Sequence, residues 1–477
     1  MSAVTARRQV GNGKFVFNWL RHSLQGVRGR YRTLRNQEQT ASIVSGLEIA
    51  LANLRGTNAD PRVGWAWADP EYRAAPTRAF SGADGSLTIA DAGMEPFISA
   101  VRALLDWPRV REVWLEEDVW TVVLQLLAHK AARPQTDLKS AVDRILKPSP
   151  VRVVAALANV TWQSEPRTVG GVTLARLTSE ADASRLAASI HLNESSADGL
   201  AHYARQLIGE FGSCVVATAS SPRQESLAHD DFERLVEDLL GLTLMYSTQL
   251  TQHGVFALRG ATNRPGIRGL TLDRGALGSL LAAKGAGELA ARVLSLGDFG
   301  NRNIFRWFSA DPLPIDQLIV GDEGLLIGEI LEADDVIAQR LRVAARWYAR
   351  AFWSSSEDDA ALAVSVALDS LLTGKEAVPS AVSKGRFALL ERNRALRSER
   401  FKRYDRVYSV RNAIAHGGGA SRALAELGGA RSLLDDARWA AARVAELRAI
   451  TSPRSDAELR DAWNGLQWGT TDWVIAD

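Results

Sequence analysis

An arginine and a histidine near the C-terminus have the types and spacing needed for chemistry on a phosphate ester. In the segment YDRVYSVRNAIAHGGG, residues 404–419, Arg411 precedes His416 by five positions and three glycines follow. A histidine with a pKa near neutrality can take up or return a proton. An arginine can hold a phosphate and stabilise the extra charge of a transition state. We therefore treat Arg411 and His416 as candidate catalytic residues.

The same segment is predicted to form a helix with one apolar face. At 100° per residue, four side chains share that face: Tyr404, Val407, Val410 and Ile414. Arg411 lies at the edge of this face, where an unpaired guanidinium is costly, so it needs an anion or a partner. Asn412 and His416 are four positions apart and are therefore neighbours on another flank. Asn412 is thus a candidate to orient His416 or a bound phosphate by hydrogen bonding.

The bare spacing R-x-x-x-x-H carries little weight by itself. With 7 histidines and abundant arginine in the chain, about one match is expected by chance. Two looser matches, Arg185 with His191 and Arg223 with His229, neither end a predicted bundle helix nor precede glycines. The alternative interpretation is an ordinary helix end, in which His416 caps the last carbonyl groups.

The elements that would position this pair are predicted to be helices from about residue 333 to 450. One helix covers DDVIAQRLRVAARWYARAFW. The next opens at Ser356, is followed by three acidic residues that complement the helix dipole, and ends at Gly374. A third runs from about Lys384 through His416 with breaks, and a fourth covers RALAELGGARSLLDDARWAAARVAELRAI. Helices joined by short loops predict a bundle.

The whole chain is predicted to be a multidomain α+β protein with boundaries near residues 150 and 332. Residues 1–150 are mostly helical, with loop material at 57–85, and KPSP at 147–150 ends the region. Residues 151–332 mix strands, in VRVVAALANVTW, TVGGVTLARL and SCVVATAS, with helices, in EADASRLAASIHL, DFERLVEDLLGLTLMYSTQL and RGALGSLLAAKGAGELAARVLSL. Residues 333–477 form the all-α bundle and a tail.

The composition excludes several classes of protein. Of the 477 residues, 46% are hydrophobic and 23% charged, as in soluble globular proteins, and no apolar run reaches the length of a bilayer span. The first twenty residues lack the apolar core of a secretory signal. A single cysteine, Cys214, excludes an intrachain disulfide and a multi-cysteine zinc site. We expect a cytoplasmic protein without a cofactor, a metal site or a membrane contact.

The basic residues are clustered although the net charge is only +2. The first cluster precedes every acidic residue of the chain: Arg7, Arg8, Lys14, Arg21, Arg28, Arg30, Arg32 and Arg35. The second cluster runs from Lys384 through Arg386, Arg392 and Arg394 to Arg411, and five of its members are candidate RNA contacts: Arg397, Arg400, Lys402, Arg403 and Arg406. Clustered cations suit a phosphate backbone, whereas the alternative is a solvated helix face.

The context of Arg411 and His416 resembles the signature of HEPN domains, specifically the Apea-like group. In that group a helix carries an aromatic residue, then arginine, a polar residue and a small or aliphatic stretch, and ends in His-Gly. The upstream stretch ALAVSVALDSLLTGKEA resembles the family's alanine-rich helix that ends in Leu-Leu, with an acid just before it. That acid is Asp369 here, where many relatives have glutamate, and a pairing of Asp369 with a buried arginine is the alternative. The resemblance covers about residues 333–450.

The resemblance implies a metal-independent endoribonuclease of a prokaryotic, toxin-like antiphage defence system. RNA carries its own nucleophile, the 2′-hydroxyl, so cleavage needs neither a metal nor a protein nucleophile. Arg411, His416 and Asn412 would be catalytic, with Asp369 and Tyr408 in supporting roles. The implied partners are RNA, tRNA among others, a second copy of the chain joined through the bundle, and a phage-derived or other protein trigger. Residues 1–331 would sense that trigger or restrain the nuclease.

A non-catalytic module is the alternative from a different functional class. In it, the HEPN-like helices only bind RNA or dimerise, and the preceding regions carry the activity. The intact Arg–Asn–His set favours the enzyme, since a degenerate module need not keep it. Burial of His416 in a core would favour the module.

Overall fold

The computed structural model shows a mixed α and β chain whose C-terminal region is helical. It describes residues 38–55, 78–82, 85–148, 150–192, 194–247, 266–267, 270–272, 291–296, 313–319, 321–354, 356–374, 376, 378–417, 420–471 and 473. The first basic cluster, from Arg7 to Arg35, lies outside these residues. The described residues form two compact units, the first ending at Pro150 with the addition of Pro222–Leu227, and the second beginning at Val151.

The first unit is mostly helical and has its own core. Its helices are α1 (38–52), α2 (Asp91–Leu105), α3 (Pro108–Val113), α4 (Glu116–Ala132) and α5 (Leu138–Leu146). Its strands are β1 (Leu54–Arg55), β2 (Arg78–Gly82) and β3 (Gly85–Ile89), which pair antiparallel in the order β1–β3–β2. The core includes the fully buried Phe97, Leu104, Leu126 and Leu127.

The loop predicted at 57–85 is wrong for residues 78–82, which form a strand. β2 pairs with β3 in a register that runs from Arg78 opposite Ile89 to Gly82 opposite Gly85. Ile89 also faces Leu54 of β1. β2 is stabilised by its pairing with β3 rather than by a strand-like pattern in its own sequence, RAFSG, so a local pattern could not reveal it.

The second unit contains a seven-stranded sheet. Its strands are β4 (Val151–Ala158), β6 (Arg167–Val169), β7 (Val172–Leu177), β8 (Cys214–Ser221), β9 (Gly266–Ile267), β10 (Leu270–Leu272) and β11 (Ala291–Leu296). The order is β10–β11–β4–β8–β7–β6, with β9 also paired to β4. All pairs are antiparallel except β11 with β4. Two short strands, β5 (Val160–Thr161) and β12 (Leu313–Pro314), pair separately.

The predicted strands in this region are confirmed, but one predicted helix is wrong at its end. Residues 291–296, the last six of the stretch RGALGSLLAAKGAGELAARVLSL, form β11 rather than helix. β11 lies between β4 and β10, so hydrogen bonds from both neighbours determine its structure. The rest of that stretch, 274–290, lies outside the described residues.

Alternate residues of β4 face two different cores. Val153 and Ala155 belong to a large core, and Val154 and Ala156 belong to a smaller one on the opposite face of the sheet. The smaller core is completed by two helices, α6 (Glu180–Ser189) and α7 (Glu194–Phe211). Because both faces of the strand are covered, its sequence is a nearly continuous apolar run.

The large core joins the sheet to the C-terminal helices. These are α9 (Ile315–Leu318), α10 (Gly321–Glu332), α11 (Val336–Phe352), α12 (Glu357–Leu372), α13 (Ser380–Leu389), α14 (Arg397–Ala415), α15 (Ser421–Glu426), α16 (Gly429–Thr451) and α17 (Asp456–Trp468). One hydrophobic cluster includes residues from Val151 of β4 to Trp473, which follows α17. The predicted boundary at residue 332 therefore falls inside a continuous core.

Helix α8 (Glu225–Tyr246) is shared by the sheet and the bundle. Its buried Phe232 and Leu239 belong to the large core. At its end, the Tyr246 hydroxyl donates to the backbone oxygen of Ala441 in α16, at 3.1 Å. Gly241 lets the backbone of α11 approach so closely that a Cβ added there would lie 2.6 Å from the carbonyl oxygen of Ala345.

A buried acid on α8 makes the stability of this junction depend on pH. Burial raises the pKa of Asp238 to about 6, against the opposing effect of Arg346 and Arg342, whose guanidinium atoms lie 3.1 and 4.0 Å from its carboxylate. The folded state therefore binds this proton more tightly than the unfolded chain. The contribution of Asp238 to stability is highest below pH ~4 and falls by about 3 kcal/mol as pH rises through 6.

We expect urea unfolding to report this difference when the natural protein is compared with Asp238→Asn. Between about pH 4.5 and about pH 7.5, the free energy of unfolding of the natural protein should fall relative to that of the variant. The reason is that Asp238 must ionise while buried, whereas asparagine does not ionise. All other titrating groups are the same in both proteins, so their contributions cancel in the difference between the two unfolding free energies. A difference in unfolding free energy that stays constant with pH would contradict the prediction.

Candidate active site

Helix α14 presents its side chains as the sequence predicts. Tyr404, Val407 and Val410 are buried, and Ile414 packs against the same core. The helix ends at Ala415, and the backbone N–H of the next residue, His416, donates to the carbonyl oxygen of Asn412 at 3.0 Å. Gly417 follows with φ of +73°, a left-handed conformation that stops the helix and that glycine adopts without a steric penalty.

Helix α12 supplies the acidic partner of Arg411. The helix begins after Ser356, whose hydroxyl caps the N–H of Asp359, and it is followed by Gly374 with a positive φ, as predicted. From its last turn, Asp369 Oδ2 lies 3.1 Å from Nη1 of Arg411. The side chains of Asp369 and Arg411 are 26% and 32% exposed, so the ion pair stands at the surface edge of the core.

The other carboxylate oxygen of Asp369 is held by a tyrosine. The Tyr404 hydroxyl donates to Oδ1 of Asp369 at 2.7 Å. Burial, reinforced by the Asp369 carboxylate, raises the pKa of Tyr404 far above its usual value, so the hydroxyl stays protonated and remains a donor. The ring is fixed by Phe387 of α13, 5.0 Å away between centroids. Asp369 is thus oriented on one side by Tyr404 and binds Arg411 on the other.

Tyr408 lies between two cations. The guanidinium carbon of Arg411 is 5.7 Å from the Tyr408 ring centroid, and Nζ of Lys384 is 5.5 Å from it. Both distances are within the range of cation–π attraction. Nζ of Lys384 also lies 2.5 Å from Oδ1 of Asp405. The structure therefore places the Tyr408 ring beside Arg411.

His416 and Asn412 complete the end of the helix. His416 is exposed and Asn412 is half-buried one turn earlier. Five residues separate Arg411 from His416 by about 7.5 Å along the helix axis and by about 140° around it, so within one chain the two side chains leave the helix on different sides. His416 is not packed in the core, which was the arrangement that would have favoured a non-catalytic module.

The basic residues before Arg411 fall into two groups. Arg403 donates to Asp436 at 2.7 Å, to the carbonyl oxygen of Leu427 and to Ser432. Arg400 reaches Glu391 at 3.3 Å and stacks on Trp439 at 4.0 Å. Arg397 donates to the backbone oxygen of Glu391 at 2.9 Å. These three predicted RNA contacts are engaged within the protein, whereas Lys402 and Arg406 are exposed.

Tyr404 and Lys384 are the residues that the sequence interpretation did not include in the site. Tyr404 was expected only to fill the core, and Lys384 was counted only as part of the basic cluster. A signal for Tyr404 was available, since it lies seven positions before Arg411 and therefore on nearly the same helical face. No comparable signal exists for Lys384, whose approach to Tyr408 depends on how α13 packs on α14.

The described residues near Arg411 do not form a metal-ligand group. One group of metal-ligand types is close enough to approach a common ion within the described part of the chain, and it consists of His229, Asp230 and Glu233 on α8. Asp369, by contrast, uses both oxygens on Tyr404 and Arg411.

Comparison with known proteins identifies no relative: no family model, no curated protein and no solved structure matches this chain. Within the described residues, no helix combines the length and apolar character needed to cross a bilayer. Support for a function therefore comes from the contacts around Arg411 and from the resemblance of residues 404–419 to the HEPN signature.

Proposed function

We propose that α12 and α14 carry the active site of a metal-independent endoribonuclease of the HEPN type. The observation that carries this proposal is the arrangement of Arg411. Its guanidinium is anchored by Asp369 yet one-third exposed, and the exposed His416 follows at the end of the same helix. An anchored, partly exposed guanidinium is prepared to bind a phosphate with the hydrogen-bond donors that Asp369 does not use.

The reaction follows from these groups. The RNA 2′-hydroxyl attacks the adjacent phosphorus, the O2′–P bond forms and the P–O5′ bond breaks. His416 takes the 2′-hydroxyl proton or supplies the proton that the leaving 5′-oxygen needs. Arg411 stabilises the charge on the phosphorane oxygens. The products are a 2′,3′-cyclic phosphate and a 5′-hydroxyl.

A second copy of the chain would complete the proton transfers. A single histidine cannot act as base and as acid on the same phosphate at the same moment. Two α14 ends facing each other in a homodimer would supply one histidine for each role, which the HEPN resemblance also implies. Asn412, one turn before His416, would then orient the imidazole or the phosphate.

The biological setting of the proposal comes from the resemblance alone. It is a prokaryotic defence or toxin system that cleaves RNA, tRNA among others, and whose cleavage activity a phage-derived or other protein trigger increases. Residues 1–331 would sense the trigger or restrain the nuclease. The shared core of sheet and bundle supports such a connection, because a change in the sheet would reach the bundle through α8.

One observation favours a second function, a non-catalytic RNA-binding or dimerisation module. Arg411 has an intramolecular partner, and an ion pair between α12 and α14 is also what a purely structural arginine would make. The two functions differ in whether loss of Arg411 removes a chemical reaction or only lowers stability.

Incubation of the purified protein with total tRNA in EDTA tests the proposal. We expect cleavage that leaves 2′,3′-cyclic phosphate ends, reduced by about 10²-fold or more in Arg411→Ala, as when one transition-state donor is lost. Arg422→Ala is the matched control, because Arg422 is 94% exposed and pairs only with Glu426 on α15 among the described residues. Cleavage that needs a divalent ion, or that persists in Arg411→Ala, would contradict the proposed site.

A further inference from the structure

The cations on the exposed side of α14 differ from those near the core in their ion pairing. Arg400 and Arg403 turn toward Asp436 of α16, at 3.9 and 2.7 Å. Lys402 and Arg406 point away from the core and have no ion pair within the described residues. A phosphate chain can therefore bind Lys402 and Arg406 without breaking any described ion pair.

These two cations share a helical face with His416. Lys402, Ser409 and His416 are spaced by seven residues, which keeps them within about 20° of one another at each step, and Arg406 lies beside them. All four residues are exposed. Arg406 is about 15 Å and Lys402 about 21 Å from His416 along the helix axis. We call these four residues the basic face of α14.

The acidic residues nearby do not cancel the positive charge of this face. Asp405 lies next to Arg406, but its carboxylate is 2.5 Å from Nζ of Lys384, which neutralises it. Glu399 is exposed near the start of the helix, three residues before Lys402 and far from His416. The potential along the face therefore becomes more favourable for phosphate toward Arg406 and His416.

An exposed aromatic ring lies at the margin of the basic face, about 60° around the helix from His416 and about 100° from Lys402. Phe401 is 39% exposed and precedes Lys402. Tyr408, one heptad further on, is already occupied by Lys384 and Arg411, so Phe401 is the ring on this side of α14 that can accept a base. Cations bordered by an exposed aromatic ring suit single-stranded RNA, whose unpaired bases stack while its phosphates pair with the cations.

We infer that an unpaired stretch of RNA lies along the basic face of α14, with phosphates on Lys402 and Arg406 and a base on Phe401, and so enters the site at His416. This inference rests on the proposed function and names the form of its substrate. It excludes Arg400 and Arg403 from direct RNA contact.

Direct binding tests the inference separately from cleavage. Full-length protein carrying His416→Ala, which keeps the RNA intact, is titrated into labelled single-stranded RNA and into the matching duplex at several salt concentrations. Adding Lys402→Gln and Arg406→Gln should weaken single-strand binding and reduce the slope of log K against log salt by about 1.4, or 0.7 per cation. Adding Phe401→Ala should weaken it about tenfold. Adding Arg422→Ala should change neither the affinity for single-stranded RNA nor the salt slope.

The outcomes separate the two proposals. If RNA binds but the Lys402 and Arg406 substitutions leave affinity and salt slope unchanged, this inference is overturned while the active site at Arg411 and His416 stands. Duplex binding as tight as single-strand binding would also overturn it. If the His416→Ala protein binds no RNA and the natural protein cleaves none, both the inference and the proposed function fail.

Discussion

Replacement of His416 by alanine is expected to lower the rate of RNA cleavage by about 10²–10⁴-fold, the usual contribution of a positioned general acid or base. The fold should be unaffected, because His416 is exposed at the end of α14 and, among the described residues, only its backbone N–H makes a hydrogen bond, to the carbonyl oxygen of Asn412. Alanine retains that N–H. The unfolding free energy of His416→Ala should therefore equal that of the natural protein.

Two further measurements distinguish proton transfer from simple positioning. His416→Gln keeps a hydrogen-bonding side chain of similar length but cannot carry the proton, so it should be as inactive as the alanine variant. Added imidazole should partly restore cleavage by His416→Ala, since the variant retains Arg411 and leaves space for the base. Full activity in His416→Gln would contradict a proton-transfer role. Cleavage that persists in both the His416 and Arg411 variants would direct the search to residues 1–331.

Substitution of Gly241 by alanine is expected to destabilise the protein by about 3 kcal/mol, at the upper end for an overpacked core site. The added Cβ would lie 2.6 and 2.7 Å from the carbonyl oxygen and carbon of Ala345, both backbone atoms of α11. Neither α8 nor α11 can relieve such contacts by rotating a side chain. The two helices must move apart, and the buried residues around them lose contacts.

The same chemical change at Gly209 provides the control. Gly209 lies in α7, is exposed, and an added Cβ there meets no atom within 4 Å. Alanine favours helix more than glycine does, so Gly209→Ala should stabilise the protein by up to about 1 kcal/mol. Urea unfolding of the two variants should therefore give changes of opposite sign. Equal effects would show that α8 and α11 do not pack as closely as described.

The sequence could predict the parts of the site that depend on local periodicity. The 3.6-residue repeat places Tyr404, Val407 and Val410 on one face of α14, and the structure confirms that they are buried. The capping residue Ser356 and the glycine at 374 likewise predicted where α12 begins and ends. These signals act over one or two helical turns, and a single sequence contains them in full.

The rest of the site depends on contacts between distant segments. Nothing near Arg403 in the sequence shows that its guanidinium is engaged by Asp436, 33 residues later. The five candidate RNA contacts therefore appeared equivalent, and they are separated only by contacts with Glu391 and with α16. The same reasoning applies to β11, whose strand conformation is determined by β4, more than 130 residues earlier in the chain.

The helical region cannot be detached from the sheet without loss. A fragment beginning at residue 333 would lack α8, and with it the buried side chains of Phe232 and Leu239, the carboxylate that faces Arg346, and the hydroxyl that Tyr246 donates to α16. Apolar surface that the intact chain covers would then face water. Evolution of the two regions is correspondingly constrained: the helical region cannot be combined with a different preceding sequence by simple exchange, because any replacement would have to supply a helix with the same contacts.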